Sequence, residues 1–487
     1  MVEGIKEIRS GRVKTIHAAI GFLIMIAFSF IPAPAPLTQV GMQIIGIFIG
    51  TLYLWSTVDI LWSSIFCVVM IGMSEYDSMP HVLQLAFGNV VAVQCLFIFI
   101  FVGAMVNEGI TDHIGRWFLT RKISEGKPWV FTLMICLGCF VISAFVNPFT
   151  PIILFWPVVY GIFKQIGYTA KDKYPKLLVI LIVLSSLAGF PVPPYMSNGL
   201  ALLSNFRNIS DNQYAIVDGM YFISTMVLGL LFIVMSILIC KYVFRPDIGN
   251  LKNVSIEKIN EHPLTPLDTR QKVLGWMFVL FSLVMLLPSW FPTLPVLDFL
   301  HVNSIGVATL FVGVLAGIFI KGKPIMQMGP AIQKGVPWGT EFLIIAALLI
   351  GTVLTNEKTG LSAFLSANLG PIFSGMDLIV FAIVLLIVLM LLSNVCNSLV
   401  VGMILQPIIL LYCQTNGVEA AALVTISTFF VLSCAMFTPS ASPFAAMLFS
   451  NREWLAPTDI YKYTGVFILA ELLLCIAIGY PLTMVLM

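Results

Sequence analysis

Charge is what this chain has least of. Its 487 residues include 25 Lys and Arg and 23 Asp and Glu, so 10% are charged against 59% hydrophobic. Soluble globular proteins carry roughly 25% charged residues, because their surface must be hydrated. The shortfall, with a mean hydropathy of +1.01, excludes a soluble enzyme and a disordered chain. A net charge of +2 offers no field to a polyanion, so no nucleic-acid partner is expected. Catalytic signatures are missing as well. There is no HExxH, GxSxG, Walker-type Gly-Lys-Ser/Thr loop or DDxxD cluster, which argues against an ATP-driven pump, an intramembrane hydrolase or any other enzyme. Nine cysteines fall in apolar stretches, where no disulfide framework is expected. Cys136-Leu-Gly-Cys139 has redox spacing but reads as two buried thiols. His81, His113, His262 and His301 are predicted in loops and assigned no metal.

What fills the chain is apolar runs. A helix needs about 20 such residues to cross the hydrocarbon core. Candidate spans lie near 15–32, 39–56, 60–73, 91–109, 177–206, 219–240, 273–290, 304–320, 337–356, 419–450 and 463–484. The expected fold is an all-α polytopic membrane protein with about 11 transmembrane helices. Ala33-Pro34-Ala35 mimics a cleavage signal, but the many later spans favour a retained first helix.

Two stretches, 129–163 and 376–415, are too long for one crossing. Each is interrupted at its middle, by Ser143-Ala-Phe-Val-Asn147-Pro148-Phe-Thr150-Pro151 and by Ser393-Asn394-Val-Cys-Asn397-Ser398. Basic residues flank the first on both sides, whereas no Lys or Arg occurs between Lys358 and Arg452 around the second. Because cytoplasmic loops collect Lys and Arg, both stretches read as re-entrant hairpins opening from opposite faces. With the N-terminus inside and the C-terminus outside, 23 of the 25 basic residues are cytoplasmic, and only Arg207 and Lys358 are not.

The polar segment 241–272 divides the chain, after an N-terminal segment and first helix (1–38), into halves at 39–240 and 273–487. Ser143, Asn147 and Pro157 recur as Ser393, Asn397 and Pro407, and each hairpin precedes a span broken at its middle. The breaks are Gly189-Phe-Pro191-Val-Pro193-Pro194 and Thr438-Pro439-Ser-Ala-Ser442-Pro443. Inverted repeats with broken helices mark secondary transporters that bind substrate at the bilayer midplane. Asn147-Pro148 and Ser442-Pro443 read as an N-cap followed by proline at the first helical position. Asn397-Ser398 caps the second returning arm. Free N–H groups at such helix starts suit an anion, and the two tips are expected to aim at one shared cavity. No Lys or Arg is near either tip in sequence, so neutral donors and a co-bound cation would have to meet the anion's charge.

The substrate-binding candidates are Asn147, Thr150, Pro194, Ser197, Asn198, Asn397, Ser398, Thr438, Ser440 and Ser442. Ser143, Asn147, Gly189, Ser393 and Asn397 are candidate Na⁺ ligands; no cofactor is expected, and Na⁺ is one candidate coupling ion. Glu471, within the last span, is a coupling candidate, since an ionisable residue at membrane depth is a functional hypothesis by default. For any one Ser or Asn, a bond across a helix interface is the competing explanation.

The segments Gly46-Ile-Phe-Ile-Gly-Thr-Leu-Tyr-Leu-Trp55, Val336-Pro337-Trp338, Thr359-Gly360-Leu361 and Thr438-Pro-Ser-Ala-Ser442-Pro443 resemble those of the divalent anion:sodium symporters of the ion-transporter superfamily. The resemblance spans nearly the whole chain. It implies 11 spans with two hairpins, a homodimer of scaffold and transport domains, elevator-type alternating access, and di- or tricarboxylate substrates moved with Na⁺. Family tips carry Ser-Asn-Thr. Here the matches are Val146-Asn147-Pro148 and Cys396-Asn397-Ser398, so sodium-independent exchange and proton coupling stay open. The resulting expectation is a multi-pass transporter of the plasma (inner) membrane carrying a small carboxylate, a C4-dicarboxylate for preference. An anion channel and a carrier of an inorganic anion are the alternatives.

Overall fold

The structure is a computed structural model that describes residues 2–121, 123, 125–253, 264–291 and 294–487. Lys122, His262 and part of the 241–272 linker lie outside them. The first half contains α1 (Val2–Ala27), α2 (Gln39–Thr57), α3 (Ile60–Gly72), α4 (Met79–Phe87), α5 (Val90–Asn107) and α6 (Ile110–Leu119). The first hairpin follows as α7 (Pro128–Phe145) and α8 (Phe149–Gln165). Next comes a broken span, α9 (Lys173–Gly189) and α10 (Ser197–Ile209), and then α11 (Asp218–Ile239). The second half opens with α12 (Thr269–Trp290), α13 (Pro295–Val302), α14 (Ser304–Gly317), α15 (Trp338–Thr355) and α16 (Leu361–Phe373). Its hairpin is α17 (Leu378–Ser393) and α18 (Ser398–Asn416), followed by α19 (Ala421–Ser433) and α20 (Pro443–Ser450), then α21 (Pro457–Leu474) and α22 (Tyr480–Leu486). Both long apolar stretches are therefore helix–tip–helix units. The sole ladder among the described residues pairs Phe319 with Pro324 and Ile320 with Lys323. The chain is an all-α polytopic membrane protein.

Local chemistry sets the helix starts. Thr38 accepts from the Gly41 N–H at 3.0 Å, Asp59 from Leu61 at 2.8 Å and Asn89 from Val91 at 3.0 Å. Asp268 and Gln271 cap each other's N–H groups at 2.7 Å, a complete capping box for α12. The centre of the molecule is occupied by the first parts of the two broken spans. Every residue of α19 is buried, as is every residue of α9 from Leu177 to Gly189. A helix that is apolar all round belongs in an interior.

Some sequence expectations change. Among the described residues nine helices are long and apolar enough to cross a membrane, the hairpin arms α7 and α18 among them, and five apolar helices are shorter. The 13 residues of α3 extend only about 20 Å, short of a roughly 30 Å core. The broken spans are likewise divided into short pieces. Helix α16 was not anticipated; it starts at Gly360, whose φ of 66° is in the left-handed region that glycine enters without steric cost. His81, His113 and His301 lie on α4, α6 and α13 rather than in loops. The His113 ring joins the Gly109 carbonyl at 3.0 Å and the Thr265 carbonyl at 2.9 Å.

Segments rich in basic residues meet in space. Lys164 pairs with Glu453 at 3.0 Å and Lys176 with Asp459 at 2.8 Å, while the Tyr168 hydroxyl donates to the Asp247 carbonyl at 2.8 Å. Arg270 grips Glu108 with both terminal nitrogens, one at 2.8 Å, in the two-pronged geometry that makes such pairs strong. Lys358 approaches Asp77 at 3.4 Å, tying the turn before α16 to the loop before α4.

Candidate functional site

The first tip is built by Asn147. Its Oδ1 accepts from the Thr150 N–H at 2.9 Å and from the Thr150 hydroxyl at 3.1 Å, so it caps α8 although the helix begins one residue later than the sequence suggests. The buried Ser143 hydroxyl donates to the Ser186 carbonyl of α9, fastening hairpin to broken span. Gly189 serves close packing: a Cβ there would stand 2.3 Å from the Phe140 carbonyl of α7. Its own carbonyl accepts from the Val192 N–H at 3.2 Å.

The break after Gly189 exposes carbonyls, and α11 takes two of them. Tyr221 donates to Pro191 at 2.7 Å and Thr225 to Val192 at 3.2 Å. Pro194 lies in this break. Ser197, the first residue of α10, has φ 48°, a left-handed conformation rare outside glycine and of the kind that collects at functional sites. Asn198 is buried, and its Oδ1 has no hydrogen-bond partner.

A cavity of about 230 Å³ opens at this tip. Asn147, Thr150 and Ser197 line it, together with Phe99 and Gly103 of α5, the segment Lys334–Pro337, Thr340 of α15 and Phe444 of α20. Backbones touch on one wall: a Cβ on Gly103 would meet the Gly335 Cα at 2.4 Å. That approach carries Lys334 over α5 to the cavity. The sequence placed no cation at either tip, and the structure corrects this at the first. No signal local to Lys334 could have shown it, because the lysine arrives from the other half of the chain.

The second tip is tied to its break through Asn394, which was not among the candidates. Its Oδ1 accepts from the Phe437 N–H at 2.9 Å, and its carbonyl accepts from the Thr438 hydroxyl at 2.5 Å. Thr438 also reaches Ser440 at 2.9 Å. Ser393 meets the Cys434 thiol at 3.3 Å, the counterpart of the Ser143 contact. Asn397 caps α18 through Leu399 at 3.1 Å, with Ser398 buried behind it, and Ser442 caps α20 through Ala445 at 3.1 Å. Asn394 and Thr438 line a separate cavity of about 410 Å³ with Gly465 and Ile468 of α21.

No residue of the second tip lines the cavity at Asn147, so the shared cavity expected from sequence is replaced by two. The halves interlock instead. Phe444 packs on Phe149 of the first hairpin at 4.5 Å between ring centroids. In the other direction, Asn205 of α10 donates to Gln406 of α18 at 2.7 Å, and Gln406 donates to the Leu202 carbonyl at 2.8 Å. The returning part of each broken span thus lies against the other half's hairpin. Where Thr150 and Ile153 line the first cavity, the repeat-related Val400 and Met403 line an apolar crevice of about 250 Å³ beside α15. Only the first member of this pair presents a cation and hydroxyls to a ligand.

Glu471 is fully buried on α21. Ser433, the last residue of α19, donates to its Oε1, and its Oε2 has no partner. The described residues contain no group of three or more His, Cys, Asp or Glu able to hold a metal.

Comparison with known proteins agrees with this architecture. Among solved structures, the Alcanivorax borkumensis YdaH transporter, described as having an unusual topology, shares the fold at a TM-score of 0.56. The two are 13% identical, and the match covers 97% of each chain. No curated protein sequence matches. A family profile described as "Citrate transporter" matches residues 7–430. The resemblance to the ion-transporter superfamily thus holds, and the chain is an integral, multi-pass secondary transporter. It belongs to the citrate transporter family.

Proposed function

We propose that the chain carries small di- and tricarboxylates across the plasma membrane and binds them at the first hairpin tip. One observation carries the proposal: a single cavity presents Lys334, the Thr150 and Ser197 region and the capped start of α8. A carboxylate there meets a cation, hydroxyl groups and a helix N-terminus, each of which favours negative charge. At about 230 Å³ the cavity falls below the roughly 300–1,000 Å³ of pockets for drug-sized ligands, which suits a small anion. Citrate, from the family's description, and C4-dicarboxylates are the first substrates to test.

The rest of the mechanism follows from the repeats. Halves 39–240 and 273–487 are related by inversion, and the hairpins with their broken spans move as one body against α5 and α15 in an elevator motion. The protein works as a homodimer, driven by Na⁺, by a counter-anion or by protons. Ser143, Asn147 and Gly189 surround one ion position and Ser393 and Asn397 the other. Glu471, beside the second break, is one candidate coupling group if protons drive transport. Support for these elements comes from the 250-residue recurrence of hairpin and break and from the superfamily resemblance.

The test is uptake of labelled citrate and succinate into proteoliposomes, with and without a Na⁺ gradient, and with unlabelled substrate inside. Saturable flux with counterflow is the expected result. Flux without counterflow points to a channel, and no flux of either carboxylate overturns the substrate class.

A further inference from the structure

Glu341 lies on α15, one residue beyond Thr340 at the cavity of the first tip, and is only 3% exposed. Its Oε2 has no hydrogen-bond partner. Helices α5, α10 and α15 run between two cavities, and α3 also packs on α15. On α5, Phe99 lines the cavity at the first tip and Val91 lines another of about 700 Å³, while Cys95 stands midway. On α10, Ser197 faces the first cavity and Ser204 the second; on α15, Thr340 and Thr352 do the same. Glu341 therefore belongs to the partition.

Cys95 of α5 is its nearest titratable neighbour. Cys95 is within electrostatic range of Glu341, and its thiol points 3.8 Å to the Ser197 carbonyl. The neighbouring Asn198 Oδ1 is buried and unpartnered. Charged groups also lie on the elements around this partition. Asp59 caps α3 next to the start of α15. His81 of α4 and Arg207 of α10 border the far cavity at the Thr352 end, with Arg207 bound to Asp218. Lys334 is at the mouth of the near cavity. A carboxylate adds one more acceptor here, whereas the neutral acid supplies a donor and removes an unpaired charge from a low-dielectric wall.

We propose that Glu341 is a proton-binding site in the partition between the two cavities, loaded and unloaded during the transport cycle. This rests on the carboxylate-transport reading, and its test can fail independently of it. Purified full-length protein, with Na⁺ replaced by choline, is followed by infrared difference spectroscopy between acid and alkaline pH. A protonated-carboxyl C=O band is expected in the wild type, reduced by Glu341→Gln and retained with an altered midpoint in Glu341→Asp. Equal bands in wild type and E341Q, or loss only in Glu471→Gln, overturns the proposal. In proteoliposomes, citrate or succinate accumulation driven by a pH gradient should fall about tenfold or more in E341Q, the size of a typical coupling effect. Counterflow, which needs no net proton movement, should persist. Wild-type flux that ignores the pH gradient overturns the assignment. A Glu341-dependent band without carboxylate flux sinks the substrate reading and leaves the proton site standing.

Discussion

At the scale of single residues, Lys334 separates two accounts of anion binding. If helix starts and hydroxyl groups alone hold the substrate, its loss matters little. If its ammonium meets the carboxylate, Lys334→Gln removes a charge-assisted bond worth about 1.5–3 kcal/mol. The expected outcome is a KM for carboxylate uptake raised roughly tenfold or more, with thermal stability near wild type because Lys334 is exposed. Gly103 tests the wall of the same cavity. A methyl there meets backbone, the Gly335 Cα at 2.4 Å, and cannot be relieved by a side-chain rotation. Gly103→Ala is expected to cost about 1–3 kcal/mol of stability, as overpacking does, and to lower transport by displacing the Lys334 segment. A thermal melt and an uptake assay on one preparation check both effects. Asn147 and Ser442 were legible as caps because a cap is a local grammar of two or three residues. Lys334 was not, because its place depends on two glycines from different halves meeting backbone to backbone.

At the scale of elements, the interlocking of the halves rests on a buried polar link. Gln406 of α18 bonds both Asn205 and the Leu202 carbonyl. Replacing it with leucine keeps much of the volume and leaves Asn205 buried without that partner, which costs about 1–3 kcal/mol. Gln406→Leu should lower the melting temperature, while the double change Gln406→Leu with Asn205→Leu should recover part of the loss. Beyond the spans, the loop before α4 carries a pH-dependent contact. The Asp77 carboxyl is held down at about 2, chiefly by the His81 ring, then by the Ser78 N–H and Lys358. A carboxyl lowered on folding adds stability that is present above its unfolded value, about 4, and is lost as pH falls through the folded one. Asp77→Asn should therefore reduce stability at pH 6 and converge with the wild type near pH 2, as read from thermal melts across pH. The hairpins were readable as elements because an apolar stretch twice the length of a crossing, broken by Asn and Pro, has few solutions. Helix α16 and the helical settings of His81 and His113 were not readable, since short helices gain most of their stability from packing.

At the scale of the whole molecule, hairpin geometry ranks first among the open questions. Cysteine labelling of intact cells, on a background without the native thiols, is expected to place positions 127 and 170 on one side and 375 and 416 together on the other. A split of either pair removes the re-entrant geometry and the inverted relation of the halves. Segments 164–176 and 451–459 are joined through Lys164, Lys176 and their carboxylate partners. What the amino-acid sequence determined by itself was the solvent of this protein and the grammar of its helices. Hydropathy, charge content and capping pairs act within a turn or two of chain, and they specify spans, tips and breaks wherever those residues occur. Tertiary structure alone decided that the tips open into separate cavities, that Lys334 lines the first and that Glu341 is buried beside it. Those facts depend on which distant backbones can approach, and burial and neighbouring charge then decide what each buried group can do.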